Sequence, residues 1–185
     1  MACHIIKTAN LAAQAASPGA QLPEPVKAAL LTALDDEHHA EATYAGVLAR
    51  HGEVLPFSNI IRAERRHAAA IATVLKAYGL AVPRNGYLSG DLPLDPVAET
   101  LGAACAIGVD AEIANVRLYD EQLIPAVAGF DGIVALFTQL RDSSRDRHLP
   151  AFRRCATRGD GVPDLVSQAH GGCGKGRHRG AVKGH

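Results

Sequence analysis

The chain has no tryptophan, one methionine, and only four Phe and four Tyr in 185 positions. Although 48% of the residues are apolar, Ala and Leu supply most of them, a mixture that favours helices over a β-sandwich. Charge of one sign is also missing. Lys plus Arg number 19 and Asp plus Glu 19, so no overall field points to nucleic acid or an anionic membrane. The local imbalance is small. Residues 171–185 hold Lys175, Arg177, Arg179 and Lys183 without an acid, which leaves 15 basic against 19 acidic side chains, or −4, in residues 1–170. A few clustered cations give only weak, salt-sensitive nucleic-acid binding, so no specific nucleic-acid partner is expected.

Cysteine is scarce and unpatterned. Cys3, Cys105, Cys155 and Cys173 form no CxxC pair and no dense framework, so they read as reduced thiols in a cytoplasmic protein. Long apolar runs are absent as well: no 18 consecutive residues avoid a charge, which excludes an ordinary membrane span. The opening segment MACHIIKTANLAAQAASPGAQLP is interrupted by Thr8, Asn10 and Gln14 and makes a poor cleaved leader. The length fits one domain, expected over 24–157, between an N-terminal extension (1–23) and a Gly, His and basic tail (158–185) expected to be flexible.

Four helices are expected. Residues 24–50 run from a tolerated first-turn proline for about seven turns without a breaker. Residues 56–78 repeat that logic between Pro56 and Gly79. The segment to Pro96 turns to Pro, Gly, Asn, Asp and Ser and reads as a long crossover. Residues 97–123, stopped by Pro125, and 131–154 make the second pair. The fold class is therefore all-α, two antiparallel hairpins joined by a long crossover, which is the connectivity of a ferritin-type four-helix bundle.

The two halves resemble each other. Glu37 precedes Tyr44 by seven residues, and Glu112 precedes Tyr119 by seven; the second helix carries Glu64 and His67, the fourth His148. A pseudo-twofold arrangement follows. Heptad spacing puts these residues on the inward stripes: Leu30, Leu34, Glu37, Glu41 or Ala40, Tyr44 and Leu48; Phe57, Ile60, Glu64, His67, Ile71 and Val74; Leu101, Cys105, Gly108, Glu112 and Tyr119; Phe137, Leu140, Ser144, His148 and Cys155. Each apolar stripe is broken near its middle by a carboxylate or a histidine.

One buried carboxylate relieves its desolvation by holding a proton. Three at one level are harder to accommodate, and a dication bound by carboxylates and neutral imidazoles removes the difficulty. Glu64 and His67, three residues apart on one helical face, form a ligand unit suited to iron or manganese.

The strings DDEHHAEATY (35–44), PFSNIIRAERRH (56–67), GVDAEIANVRLY (108–119) and RHLPAF (147–152) resemble a branch of the ferritin-like superfamily that carries no assigned activity. The resemblance covers about residues 25–155. It implies a four-helix bundle holding metal, with Glu37, Glu64, His67, Glu112 and His148 in the ligand positions. Iron is the expected ion, with manganese as an alternative, in one or two copies.

The pattern breaks at Arg145, which stands where a full di-iron site has a glutamate three residues before its second histidine. Three outcomes stay open: Glu41 replaces the lost ligand, a single metal binds, or Arg145 pairs with a carboxylate and no metal binds. Tyr44, Tyr119 and Ser144 are candidates for contact with the ligands. His38 and His39 point to the flanks, as does Asp110. Arg65, Arg66, Arg153 and Arg154 read as solvated faces, and Cys105 and Cys155 as small apolar core residues. His170, Cys173, His178 and His185 in the tail lack regular ligand spacing.

The functional expectation is iron redox chemistry or iron handling with dioxygen or peroxide, of ferroxidase or peroxidase type. The alternative is a metal-free helical interaction module in which Arg145, helped by Arg141, neutralises the core glutamates. Homo-oligomer formation is left open.

Overall fold

The computed structural model describes residues 21–158. The expected tail from 159 onward and residues 1–20 of the N-terminal extension lie outside the described residues. All regular structure among those described is helical: α1 Glu24–His51, α2 Phe57–Ala77, the single turn α3 Gly86–Ser89, α4 Leu101–Leu118, α5 Asp131–Ser143 and α6 Leu149–Arg158. None of these helices is long and apolar enough to cross a membrane.

Local chemistry sets the ends. α1 runs unbroken from a first turn containing Pro25 to Gly52, which takes φ 80°, a conformation glycine reaches without a Cβ penalty. α2 stops at Gly79 (φ 70°), where the Leu80 amide donates back to the Leu75 carbonyl at 2.9 Å and satisfies a terminal carbonyl. α4 starts at Leu101 rather than 97, because the Thr100 hydroxyl accepts from the Ala103 amide and caps the helix there.

The third and fourth helical segments are not regular α-helices. Tyr119–Leu123 is a π turn that leads into the helical turn Ile124–Ala126, and Ser144–His148 is a π turn that joins α5 to α6. In both cases a proline, Pro125 or Pro150, follows the turn by two residues. Proline has no amide proton for an i→i−4 bond, and its ring crowds the carbonyl four residues back. A turn closed by i→i+5 bonds absorbs that defect while keeping the segment helical. Pro125 therefore does not end the third segment.

Neighbouring segments run antiparallel. α1 meets α2 through Glu37 and His67, and meets α4 and its π turn through Tyr44–Glu112 and Glu37–Tyr119. α2 meets the fourth segment through Glu64–His148 and Phe57–Phe152. α4 meets α6 at Cys105–Cys155 and the π turn before it at Glu112–His148.

The interior is divided into two apolar clusters. One gathers Leu30, Leu34, Ile71, Val74, Leu123, Ile133, Phe137 and Leu140; the other gathers Val47, Phe57, Ile60, Cys105 and Phe152. The buried polar residues Glu37, Glu64, His67, Glu112 and His148 belong to neither. The crossover is tied down by α3: the Asn85 side chain accepts from the Tyr87 and Leu88 amides and donates to the His38 carbonyl and Glu41.

Candidate metal centre

Glu64 is the hub of the polar layer. Its Oε2 lies 2.9 Å from His67 Nδ1 and its Oε1 3.1 Å from His148 Nδ1. On one side Glu37 Oε2 also reaches His67 Nδ1, at 3.2 Å; on the other Glu112 Oε2 lies 3.5 Å from His148 Nδ1. Two ligand triads result, Glu37–Glu64–His67 and Glu64–Glu112–His148. In each, one oxygen or nitrogen from every residue lies within 4.8 Å of the others. The imidazoles stack at 5.8 Å between ring centroids. All five residues are buried, and the sequence reading selected all five.

The tyrosines cross between the halves. Tyr44, seven residues after Glu37, donates not to Glu37 but to Glu112 Oε1 at 2.9 Å. Tyr119, seven after Glu112, donates to Glu37 Oε1 at 3.1 Å. Each hydroxyl occupies one oxygen of a terminal carboxylate and turns the other inward, which fixes the direction of its acceptor lone pairs. Burial pushes both phenols well above their usual pKa, so both remain donors.

The electrostatics match a site that trades protons for cations. Burial first, and then the Glu64 charge, pushes the Glu37 carboxyl up to about 8 against the pull of His67. Burial also acts on Glu64, but His148 and His67 outweigh it and hold that carboxyl well below the ordinary range. Burial disfavours charged imidazoles, yet the facing carboxylates prevail and raise His67 to about 9 and His148 to about 10. At neutral pH the carboxylates around them hold both imidazoles in the charged form, and Glu37, paired with His67, is the carboxyl most ready to take up a proton.

One atom bears directly on whether a cation fits. His148 Nδ1 is buried and forms no hydrogen bond, although two carboxylate oxygens face it. Its Nε2 is 3.2 Å from the Ser143 hydroxyl, an arrangement that orients the ring and leaves Nδ1 for the interior. The facing charges pair with Nδ1 without a well-formed hydrogen bond, an incomplete satisfaction for a buried nitrogen, and a cation among His148, Glu64 and Glu112 would take the place of its proton. The donor set of three carboxylates and two imidazoles suits iron or manganese.

Several expectations are corrected here. Glu41 does not face the layer; it pairs with Arg65 at 2.8 Å and accepts from Asn85, so it is no replacement ligand. Arg65 is thus paired rather than merely solvated. Arg145 lies at the surface, bonded to Asp146 at 2.8 and 2.9 Å and to Asp142 at 2.9 Å, and Arg141 pairs with Asp120 and Asp142. Neither guanidinium enters the layer. The π turn is the reason: it spreads an extra residue around the axis, so the residue three before His148 leaves the inner face. The same shift makes Ser143, five residues before His148, the serine that touches it; Ser144 is buried but is not that partner. Cys105 and Cys155 are joined in a disulfide with Cα atoms 5.8 Å apart, so the reading of both as reduced, separate apolar residues is overturned.

Sequence reasoning also missed Asp36. Its carboxylate accepts from Asn115, and burial, with smaller contributions from Glu64 and Glu112, raises its pKa to about 6. The signal was its position beside Glu37, which heptad counting assigns to the flank. Comparisons with models of known families, with curated proteins and with solved structures yield no match.

Proposed function

We propose that this protein is a ferritin-like four-helix bundle that holds two divalent cations, iron first and manganese as alternative. Its proposed work is iron redox chemistry or iron handling with dioxygen or peroxide, of ferroxidase or peroxidase type. The observation that carries the reading is Glu64: one carboxylate turns each oxygen to a different histidine, with a further glutamate closing each triad. Glu64 would serve both cation positions, and one further glutamate and one histidine would complete each.

Glu37 and Glu112 would cap the two positions, each held by a tyrosine hydroxyl, and His67 and His148 would bind through neutral Nδ1. Iron supplies one-electron exchange with oxygen species when bound. The chain excludes bulk water with the apolar clusters on either side and orients the five side chains, and His67 and His148 would give up their protons as cations enter. With three glutamates and no guanidinium in the layer, two ferrous ions leave a net charge of +1, which an anionic oxygen species would offset.

The test is metal analysis of anaerobically purified protein, together with melting in the presence and absence of ferrous iron or Mn²⁺. The proposal expects close to two equivalents and a higher melting temperature with the ion. It is lost if the protein binds neither ion and its melting temperature does not move.

A further inference from the structure

The Cys105–Cys155 disulfide lies on the same antiparallel helix pair that supplies Glu112 and His148, two of the three residues of one triad. Cys105 precedes Glu112 by seven residues on α4, and Cys155 follows His148 by seven on the fourth segment. At 1.5 Å per helical residue, each separation is roughly 10 Å. Between them, the Phe152 ring presses on Gly108 so closely that a Cβ there would lie 2.7 Å from its Cδ1. Cys105–Cys155, Gly108–Phe152 and Glu112–His148 are thus three successive rungs joining α4 to the fourth segment. The ring of Phe152 also packs on Tyr44 at 5.4 Å, whose hydroxyl holds Glu112. Glu37 and His67 belong to α1 and α2 and are not on this ladder.

The two cysteines differ in exposure. Cys105 is fully buried, whereas Cys155 is half-buried. Thiol–disulfide exchange proceeds by in-line attack on a reachable sulfur, so an incoming thiolate meets Cys155 and Cys105 is the leaving group.

We propose that Cys105–Cys155 is an exchange site for small dithiols whose redox state controls the Glu64–Glu112–His148 position selectively. This inference rests on the two-cation reading. In the exchange step a dithiol's first thiolate attacks the Cys155 sulfur, and the S–S bond breaks with its electron pair leaving on Cys105. The reductant's second thiol then displaces Cys155. Two protonated thiols form on the chain and one disulfide forms on the reductant, a two-electron transfer with nothing left over. Breaking this rung frees α4 from α6 at one end and loosens the geometry of Glu112 against His148, while Glu37 and His67 keep their frame. Coupling between sites is reciprocal, so a cation in the second position must also make the disulfide harder to reduce.

The test uses the full chain with Cys3→Ser and Cys173→Ser, so that only the pair reports. Mn²⁺ binding is measured on the disulfide and dithiol forms of one preparation, with thiols counted after denaturation. The disulfide form should bind two equivalents. The dithiol form should keep the first with unchanged affinity and bind the second roughly 5- to 150-fold more weakly, the usual span of coupling between sites. In dithiothreitol redox buffers, Mn²⁺ should lower the midpoint by about 30 mV for each tenfold. Two equivalents with equal affinities in both forms, and a midpoint indifferent to Mn²⁺, would overturn this inference and leave the two-cation reading standing. No binding in either form would remove that reading, and this inference with it. Equal weakening of both positions on reduction would show general loosening and overturn the selectivity claimed here.

Discussion

Glu64→Gln keeps the shape of the side chain and removes the one carboxylate common to both triads. In the cation-free protein His67 and His148 face its two oxygens at 2.9 and 3.1 Å, and both imidazoles are protonated at neutral pH. Removing one partner of a buried ion pair costs about 3–5 kcal/mol. A domain of this size loses about 2–4 °C per kcal/mol, so the cation-free variant should melt roughly 6–20 °C below the parent. The upper end assumes that both imidazoles keep their protons; shedding them reduces the loss. Cation binding widens the gap. At a hundred times its dissociation constant an ion stabilises the folded chain by about 2.7 kcal/mol, or roughly 5–11 °C on the same scale. Glu64→Gln should lose this gain entirely, whereas Glu37→Gln, which touches one triad, should keep one equivalent. Scanning calorimetry at pH 7 with and without Mn²⁺ reads both effects. If Glu64→Gln melts within a degree or two of the parent and still responds to Mn²⁺, the hub assigned to Glu64 is wrong.

Tyr44→Phe and Tyr119→Phe each remove a hydrogen bond to a buried glutamate and should cost about 0.5–3 kcal/mol in denaturant melts; because the hydroxyls hold different glutamates, Tyr44→Phe should weaken chiefly the cation position at Glu112 and Tyr119→Phe the one at Glu37. Arg145→Ala should leave the melting temperature essentially unchanged, as surface substitutions do, and leave cation binding intact; a large effect on binding would return the guanidinium to the core. Cation entry should release more than one proton at neutral pH, chiefly from His67 and His148, and affinity should rise as pH increases toward 8. Calorimetry in buffers of different ionisation heat counts the protons, and a count near zero would refute the protonation scheme. For the cation-free chain the sign is opposite. The raised imidazole pKa values stabilise the fold fully below about 6.5, and that contribution is lost as pH climbs through 9 to 10.

The buried polar layer was legible because burial and charge conflict: glutamates and histidines at heptad positions of otherwise apolar stripes must meet something, and these five gather in one layer. The helical composition and the long connection were equally readable from proline, glycine and the unbroken apolar period. What heptad counting could not follow was the change of register in the third and fourth segments. Pro125 and Pro150 each sit where a regular helix would need an amide proton, and the π turns that absorb this rotate Arg145 outward and bring Ser143 to His148. A period of 3.6 applied across Ser144–His148 therefore put Arg145 on the inner face and selected Ser144 in place of Ser143. Glu41 was misassigned for another reason: its partners Asn85 and Arg65 lie 44 and 24 residues away, and no local pattern announces them. The disulfide was equally hidden, since its cysteines lie 50 residues apart and become neighbours only when α4 and α6 pair.

The most direct measurement is anomalous diffraction at the manganese or iron edge from crystals of the full chain grown with the ion. The account predicts two peaks inside the polar layer, one among Glu37, Glu64 and His67 and one among Glu64, Glu112 and His148, with Glu64 touching both. A layer without an anomalous peak at saturating ion, or peaks confined to surface carboxylates such as Asp142 and Asp146, would contradict it.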